Sequence, residues 1–501
     1  MENTNQSVEN SNHKWLIKFV FVLFGVIVLV GVLFLLKNPI VNFFDGVDEQ
    51  VKESSLVISY SEGFTSLNPL NYEVRNRNFI GNIYEGLTRF DKNLAVESAL
   101  AVSWGKIDDE TWEFTLRDFV YFHDGTTLDA EDVVASIEKA MTDENSQLQS
   151  LLSSIESVSA VSDKTIQIVT DGIDPILPNR LVHVYIFPSE IEDAASNIIG
   201  TGPYYAVSIE DGGMTLKKFP YYWGFEPVYD DVKLVFGSFD DADVFVNVPI
   251  ESVETMKQSG YIIQTQPNLD INFILFNVLY GGIFADPDLR EAFFMAIDKE
   301  DLISSLGGYA SAIDQFSAKG VNGYNSQVND IAYDPVDAKS VFDEHQVVGF
   351  SIYMVSDMEE LGDFLMQQFA EIEVNVNVEY LDVGSFQDGV MNSDFDVYFM
   401  GWKFDLGDVA DLYETVFHTK TEMYGAYNGG YSNSEVDSLI EEAGSEDNAS
   451  DRLSILKEVA SILIDDFAGV PLFESQAIYG FKDGVSWSPR VDGYLWAFDI
   501  E

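Results

Sequence analysis

The sequence predicts an α/β fold, because strand patterns and helix patterns alternate along most of the chain. Residues 55–60, 164–170 and 374–380 alternate apolar and polar side chains, the two-residue period of a half-buried strand. Apolar residues recur at helical spacing in residues 288–296 and 358–370. Strands that alternate with helices in this way are typical of proteins built from α/β layers.

The first predicted element is a membrane helix that precedes the α/β region. Residues 19–36 form an uninterrupted apolar run, which is long enough to cross a bilayer as one helix. Lys14 and Lys18 precede the run, and this slight basic bias favours an N-terminus inside the cell. A cleaved signal peptide is the alternative, although no small-residue cleavage site follows the run. We therefore expect a cytoplasmic tail at residues 1–14, a transmembrane signal-anchor helix at residues 15–36 and a linker at residues 37–54.

A strand, a tight turn and a helix start follow one another in residues 112–134, WEFTLRDFVYFHDGTTLDAEDVV. The turn is predicted at Gly125, because glycine supplies the backbone freedom that a tight turn requires. Asp129 lies directly before the helical pattern and Asp132 lies three residues later, where an N-cap and an acidic first turn stabilise a helix. The helix is therefore expected to begin just after Asp129.

A β-hairpin is predicted from two strand patterns at residues 204–209 and 214–219. Residues 211–213, Asp-Gly-Gly, supply the turn between them. Further helical patterns begin at Asp334 and cover residues 452–464. These elements extend the alternation of strands and helices to nearly the whole chain.

Composition restricts the possible functions. The chain has 84 acidic and 27 basic residues, a formal net charge of −57, so nucleic acid is effectively excluded as a partner. The acidity favours solubility in a salty or polyanionic envelope, and attraction of cationic peptides is a second explanation. The absence of cysteine excludes disulfides, thiolate metal sites and lipid attachment through a cysteine.

The sequence does not indicate an enzyme, a cofactor or a metal site. It contains no GxSxG, HExxH, Walker A or GxGxxG motif. The histidines have no ligand spacing, and we expect most of them, including His123 in the turn, to be structural. The histidines are His13, His123, His183, His345 and His418.

Residues 112–134 closely resemble the hallmark segment of family 5 extracytoplasmic solute-binding proteins, the peptide- and nickel-binding receptors of ABC importers. Asp118 departs from the pattern, since the family usually has lysine or another polar residue there. Other segments resemble family motifs in the same order, at residues 67–69, 83–87, 100–104, 200–204, 221–224, 276–277, 288–298 and 333–338. In this resemblance Arg290 is expected to be an internal ion-pair partner.

The resemblance implies a two-lobed α/β fold, periplasmic-binding-protein-like (type II, cluster C), with an extra subdomain in lobe one. By this analogy the ligand binds in a cleft between the lobes. The sequence pattern also changes near Asp270, which agrees with a boundary between the lobes at that position. The implied limits are residues 55–270 for lobe one, 84–190 for its extra subdomain, 271–475 for lobe two and 476–501 for a C-terminal return to lobe one.

Residues 395–411, FDVYFMGWKFDLGDVAD, are the predicted ligand segment. A short apolar strand is expected to end at Gly401, and strand ends are where α/β proteins commonly place ligand groups. The segment is similar to the GWxxDxxDP motif of dipeptide and oligopeptide receptors, which implies that Asp405 accepts the ligand's ammonium group and that Trp402 lines the pocket. Val409 stands where the motif usually has proline. The alternative is that Asp405 is a loop or cap residue and Trp402 belongs to the core.

A second ligand-contacting loop is implied at Tyr427, Asn428 and Tyr431, which resemble a loop that faces the cleft in relatives. No residue matches the arginine with which dipeptide-specific relatives hold the ligand's carboxylate, so oligopeptides are expected rather than dipeptides alone.

The resemblance implies a monomeric, membrane-tethered extracytoplasmic receptor that delivers peptides to ABC permease subunits with a cytoplasmic ATPase. An oligosaccharide or nickel-chelate receptor of the same fold, and a signalling or scaffold receptor without transport, remain alternatives.

Overall fold

The computed structural model describes residues 54–501, apart from residues 211, 238–240, 280–281, 330, 357 and 422–423. The predicted tail, membrane helix and nearly all of the linker lie outside the described residues. Within the described part of the chain, no helix combines the length and the apolar character needed to cross a bilayer.

Seventeen strands are assigned in the described residues. They are β1 Ser55–Tyr60, β2 Thr88–Phe90, β3 Val96–Ser98, β4 Ala101–Asp108, β5 Thr111–Leu116, β6 Ile155–Ser162, β7 Thr165–Thr170, β8 Tyr204–Glu210, β9 Gly213–Lys218, β10 Asp231–Phe236, β11 Val244–Val246, β12 Ile262–Phe276, β13 Ala310–Ala312, β14 Gly349–Val355, β15 Asn375–Leu381, β16 Val397–Lys403 and β17 Gly469–Phe481. The expected strands at residues 55–60, 164–170 and 374–380 are confirmed by β1, β7 and β15, and the expected hairpin by β8 and β9.

The α-helices of the same residues often begin at acidic or amide caps. They are α1 Val74–Ile80, α2 Ala130–Thr142, α3 Leu177–Arg180, α4 Val253–Gln258, α5 Pro287–Met295, α6 Lys299–Ser305, α7 Pro335–Glu344, α8 Glu359–Glu371, α9 Val383–Met391, α10 Ala410–Leu412, α11 Ser434–Ser445 and α12 Ala449–Asp465. Asp129 caps α2 in a full capping box with Asp132, as the sequence predicts. Asp298 and Asp334 accept hydrogen bonds from the first turns of α6 and α7.

One eleven-stranded sheet runs through the described chain. Its order is β15-β14-β16-β12-β17-β11-β1-β10-β9-β8, with β13 also paired to β17. The long strands β12 and β17 pair with each other and connect the two ends of this sheet. Their register shifts between Pro267 and Ile271, and Leu269 at that point has a φ of 63°. A register shift of this kind bends the paired strands locally, and this bend lies between the two halves of the sheet.

Separate apolar cores lie on the two sides of this bend. The first core joins β1, β5, α2 and β10, and it buries the C-terminal residues Leu495, Ala497 and Ile500. The amide of Leu495 donates to Asn78 Oδ1 at 3.0 Å, which fixes the chain end on α1. A second core surrounds Phe273 of β12, and a third packs α5, α7 and α8 around Phe350.

Two expectations need correction. The strand expected to end at Gly401 continues to Lys403, because its residues remain paired with β12 through Asp270. Arg290 was expected to form an internal ion pair. Its guanidinium instead donates to backbone carbonyl oxygens of residues 284, 285, 466 and 467. The arginine therefore satisfies carbonyl oxygens just before α5 and just after α12 rather than neutralising a carboxylate.

Candidate ligand-binding site

Asp405 lies in the loop that follows β16, and residues from distant parts of the chain hold this loop. Its backbone carbonyl accepts a hydrogen bond from His183 Nε2 at 2.9 Å, and Leu406 O accepts one from Asn179 Nδ2 at 2.8 Å. The Tyr494 hydroxyl donates to Asp405 Oδ1 at 3.4 Å. Two segments that are remote in sequence, residues 179–183 and Tyr494, therefore meet at this one loop.

Asp408 anchors the other end of the same loop. Its carboxylate accepts two hydrogen bonds from Arg452, at 2.6 and 2.9 Å, and both side chains are buried. A bidentate pair of this kind fixes orientation as well as position. Val409, which replaces the usual proline of the motif, is fully buried. The loop is thus held by Asp408 and by the packing of Val409.

Asp405 lines a small cavity of about 60 Å³. Its lining includes the charged or polar side chains of Arg77, Glu85, His183, Asp405 and Tyr494. By volume the cavity accommodates several water molecules or a small polar group. Its lining combines carboxylate, guanidinium, imidazole and phenol groups and is suited to binding a charged group.

His183 connects Arg77 with the Asp405 loop. Its Nδ1 contacts Arg77 Nη1 and its Nε2 contacts the carbonyl oxygen of Asp405, so the neutral Nε2-protonated tautomer satisfies both bonds. Burial, and then the charge of Arg77, hold the pKa of His183 well below 6.5. The imidazole is therefore neutral at physiological pH and does not offset the charge of Arg77.

A second, larger cavity of about 530 Å³ lies on the neighbouring face of β16. Its lining includes Trp402, Tyr427, Asp270, Phe386 and Gln387. The two cavities are neighbours, because Lys403 lines the second while its Nζ lies 5.4 Å from the ring centroid of Tyr494 in the first.

The five residues that the sequence predicts for the ligand site fall into three groups, according to whether they line the first cavity, the second cavity or neither. Asp405 lines the first cavity, whereas Trp402 and Tyr427 line the second. Trp402 Nε1 is buried and has no hydrogen-bond partner among the described residues. Asn428 is buried, and its amide donates to the carbonyl oxygens of His418 and Tyr431.

Tyr431 is also committed within the protein, because its hydroxyl donates to Asp466 Oδ2 at 2.6 Å. Neither Asn428 nor Tyr431 is part of the lining of either cavity. The side chains of these two residues shape the loop that carries Tyr427.

Sequence reasoning did not select Arg77, His183 or Tyr494, although they surround Asp405. His183 was grouped with histidines that have no ligand spacing, and Tyr494 lies in a tail with no periodic pattern. A polar residue within the apolar face of a short helix was the one available signal for Arg77, which is buried in α1.

A separate cluster of possible metal ligands lies outside both cavities. Asp286, Asp288 and His345 are the group of acidic and histidine side chains that lies close enough together within the described chain. His345 Nε2 is 3.1 Å from Asp286 Oδ2 at the partly exposed start of α5. His123, in contrast, contacts the carbonyl oxygen of Gly202 at 3.0 Å and has a structural role.

The chain is similar to solute-binding proteins both in sequence and in structure. Glutathione-binding protein GsiB of Pectobacterium atrosepticum is 24% identical over 438 residues, covering 80% of this chain and 85% of its own. The periplasmic binding protein DppA from Helicobacter pylori, solved with the peptide STSA, aligns with a TM-score of 0.71 at 20% identity, covering 89% of this chain and 97% of its own.

NikZ from Campylobacter jejuni, solved with Ni(L-His), aligns with a TM-score of 0.71 at 21% identity and covers 90% of this chain and 100% of its own. These structural matches show the two-lobed α/β fold of periplasmic binding proteins. The relatives are solute-binding proteins of ABC importers and not enzymes. The family model described as "Bacterial extracellular solute-binding proteins, family 5 Middle" matches residues 95–424. The chain therefore belongs to family 5 of the bacterial extracellular solute-binding proteins.

Proposed function

We propose that this protein captures peptides outside the cytoplasm and that Asp405 binds the ligand's ammonium group. The observation that carries the proposal is the carboxylate of Asp405, which lines a cavity and forms no ion pair with any described residue. A carboxylate shielded from water is stabilised when a cation arrives, and charge-assisted hydrogen bonds are about twice as strong as neutral ones.

The edge of β16 supports a peptide rather than another cation. On one side β16 pairs with β12 as far as Lys403, whereas on the other side its pairing with β14, within the described residues, is at Tyr398 alone. Gly401 is exposed beyond that point. An extended peptide can add its backbone to such an edge, while the cavity beside Trp402 takes its side chains.

The relatives favour peptides in the same way. GsiB is named for binding glutathione and the DppA structure contains the peptide STSA. NikZ, a structure of similar fold, was solved with Ni(L-His), so a nickel chelate is the alternative ligand. An oligosaccharide receptor of the same fold is a further alternative, which ligand titration distinguishes. A signalling or scaffold receptor without transport is another, which permease genes beside this gene would argue against.

Transport is the expected outcome of capture. We propose that the lobes close around the peptide by bending at the β12 and β17 register shift, and that the loaded protein, as a monomer, delivers its ligand to ABC permease subunits with a cytoplasmic ATPase. The apolar run at residues 19–36 would tether the domain on the outer face of the membrane. Tethering would raise the effective concentration of the receptor at its permease.

The variant Asp405→Asn tests the anchor. We expect it to weaken the binding of free-amine peptides by about 30-fold, corresponding to about 2 kcal/mol for a lost charge-assisted contact. N-acetylated peptides should bind both proteins equally, because they have no ammonium group. Calorimetric titration measures both affinities.

Asp109→Asn is the matched control, because Asp109 is exposed in the turn between β4 and β5. It should bind free-amine peptides as the unmodified protein does. Undiminished binding of free-amine peptides by Asp405→Asn would show that Asp405 is not the anchor.

A further inference from the structure

A third cavity, of about 620 Å³, adjoins the Asp405 cavity and shares Tyr222 and Trp496 with its lining. Its volume is within the range of small-molecule sites. The lining comes from the β2–β3 hairpin, Arg117, residues 222–226 and residues 490–499. No described residue between 271 and 475, the limits of the proposed second lobe, contributes to it. A molecule bound here therefore contacts the proposed first lobe alone.

Aromatic rings form much of the wall of this third cavity. Trp223, Trp496 and Phe498 are half-buried, and the rings of Trp496 and Phe498 are stacked with centroids 5.5 Å apart. Phe225, which is also part of the lining, is 95% exposed. Flat apolar faces of this kind suit an aromatic ring, and a ring that packs there would remove Phe225 from water.

The acidic side chains of the third cavity already have partners within the protein. Asp91 accepts hydrogen bonds from the amides of residues 93 and 95. The other acids lie beside cations, in the pairs Glu97 with Arg89, Glu226 with Lys218 and Asp499 with Arg490, at N–O distances of 2.7, 3.0 and 3.8 Å. A cationic ligand would have to compete with these partners.

Two cations of the same lining have no carboxylate partner among the described residues. The guanidinium carbon of Arg117 lies 3.9 Å from the ring centroid of Trp223, and Nε donates to the carbonyl oxygen of Ala99. Both terminal nitrogens of Arg117 are without a hydrogen bond to any described residue, whereas in Arg290 backbone carbonyls occupy Nε, Nη1 and Nη2. Lys92 is exposed and adds a second positive charge. The free donors of this cavity are therefore cationic.

We propose that the third cavity is a second binding site, which takes an aromatic carboxylate. The ring packs against the wall formed by Trp223 and Trp496, and the carboxylate binds Arg117 and Lys92. Stacking on Trp223 fixes the plane of the guanidinium, so its terminal N–H groups can meet two carboxylate oxygens. An ammonium group on the ligand is unfavourable because the acids of the lining are already paired. The site therefore prefers aromatic acids to aromatic amino acids, and it does not depend on peptide capture at Asp405.

Three compounds with the same ring and chain length test the site by calorimetric titration of the full-length protein: 3-phenylpropionate, 3-phenylpropanamide and 3-phenylpropylamine. The acid should bind about tenfold more tightly than the amide, and the amine should bind most weakly, because only the acid is an anion. Phenylalanine, which adds an ammonium group to 3-phenylpropionate, should also bind more weakly than the acid. Equal affinity for acid and amide, or no binding of the acid, would overturn the site. Neither result requires a variant to fold, and neither bears on peptide capture.

Substitutions of exposed residues locate the bound acid. Lys92→Gln should reduce the preference for acid over amide about threefold, and Arg117→Gln should remove most of it. Phe225→Ala should weaken acid and amide alike, because it removes a ring contact and no charge. The matched controls are Lys457→Gln, an exposed lysine of α12, and Phe119→Ala, a phenylalanine that is 78% exposed outside the lining. If all three variants of the lining bind the acid as these controls do, the acid binds elsewhere and the third cavity is not its site.

Discussion

At the scale of single residues, one buried and one half-buried acid lie at the bend of the long strands. Glu474 of β17 is 4% exposed, and its Oε1 accepts a hydrogen bond from the amide of Leu269 at 3.3 Å. Burial raises the pKa of Glu474 to about 7, and the charge of Asp270 acts in the same direction. Burial likewise raises the pKa of Asp270 to about 6. Both carboxyl groups therefore titrate near neutral pH at the proposed hinge.

This titration predicts how stability depends on pH. The folded protein holds the Glu474 proton more tightly than the unfolded chain, whose pKa is near 4.5, so stability falls as pH rises from about 4.5 through about 7. The unmodified protein should lose on the order of 3 kcal/mol of its free energy of unfolding over this pH range. Glu474→Gln has no proton to lose at this position and should not show that loss. Urea unfolding at several pH values measures the difference.

Glu458→Gln serves as the comparison, because Glu458 is exposed on α12. Its free energy of unfolding should follow that of the unmodified protein at every pH. If Glu474→Gln follows it as well, then the carboxyl of Glu474 does not titrate in the folded protein as described.

At the scale of elements, three of the segments that resemble family motifs meet at one buried residue, Glu85. Glu85 accepts hydrogen bonds from Thr201 Oγ1, Tyr222 OH and Trp223 Nε1, all between 2.9 and 3.0 Å. Residues 83–87, 200–204 and 221–224 therefore form one packing unit around a carboxyl group whose pKa is raised by burial.

Gly202 permits a close backbone approach within that unit. A Cβ atom there would lie 2.7 Å from the backbone oxygen of Ile83, whose carbonyl accepts the Gly202 amide at 2.8 Å. Because backbone cannot give way as a side chain can, Gly202→Ala should destabilise the fold by about 2–3 kcal/mol. The urea midpoint of unfolding provides the measurement.

Gly212→Ala is the control, because no described residue beyond its chain neighbours lies within 4 Å of the Cβ it would add. It should leave the midpoint close to that of the unmodified protein. A Gly202→Ala protein as stable as this control would contradict the steric explanation.

Elements were predictable from sequence where local chemistry decides them. The Asp129 capping box and the turn between β8 and β9 depend on residues only a few positions apart. The prediction that β16 ends at Gly401 was wrong. The strand extends to Lys403 because it pairs with β12, which lies more than a hundred residues earlier in the sequence. Pairing over such a separation leaves no local pattern.

The surroundings of Asp405 follow the same rule. Its partners His183 and Tyr494 are 222 and 89 residues away, so no spacing in the sequence connects them. The motif resemblance selected Asp405 and Trp402 together, but Trp402 lines the second cavity with its neighbours in β16, whereas Asp405 lines the first. Only tertiary packing brings Arg77 beside Asp405.

At the scale of the whole molecule, the contacts of His183 and Asn179 with the Asp405 loop join the two halves of the chain around the cavity. A ligand that binds both halves favours the closed arrangement by its own difference in affinity for the two states. The net charge of −57 adds attraction for cationic ligands, although salt screens it beyond about 8 Å. The selectivity we propose therefore resides in the cavity and not in the surface charge.

The most direct test of peptide capture through the ammonium group is a calorimetric titration of the full-length chain with a mixed pool of tri- to pentapeptides, free and N-acetylated. We predict binding heat from the free pool and its loss on acetylation, because acetylation removes the charge that Asp405 accepts. Equal heat from both pools would contradict the role of Asp405. Absence of heat from either pool would contradict peptide binding.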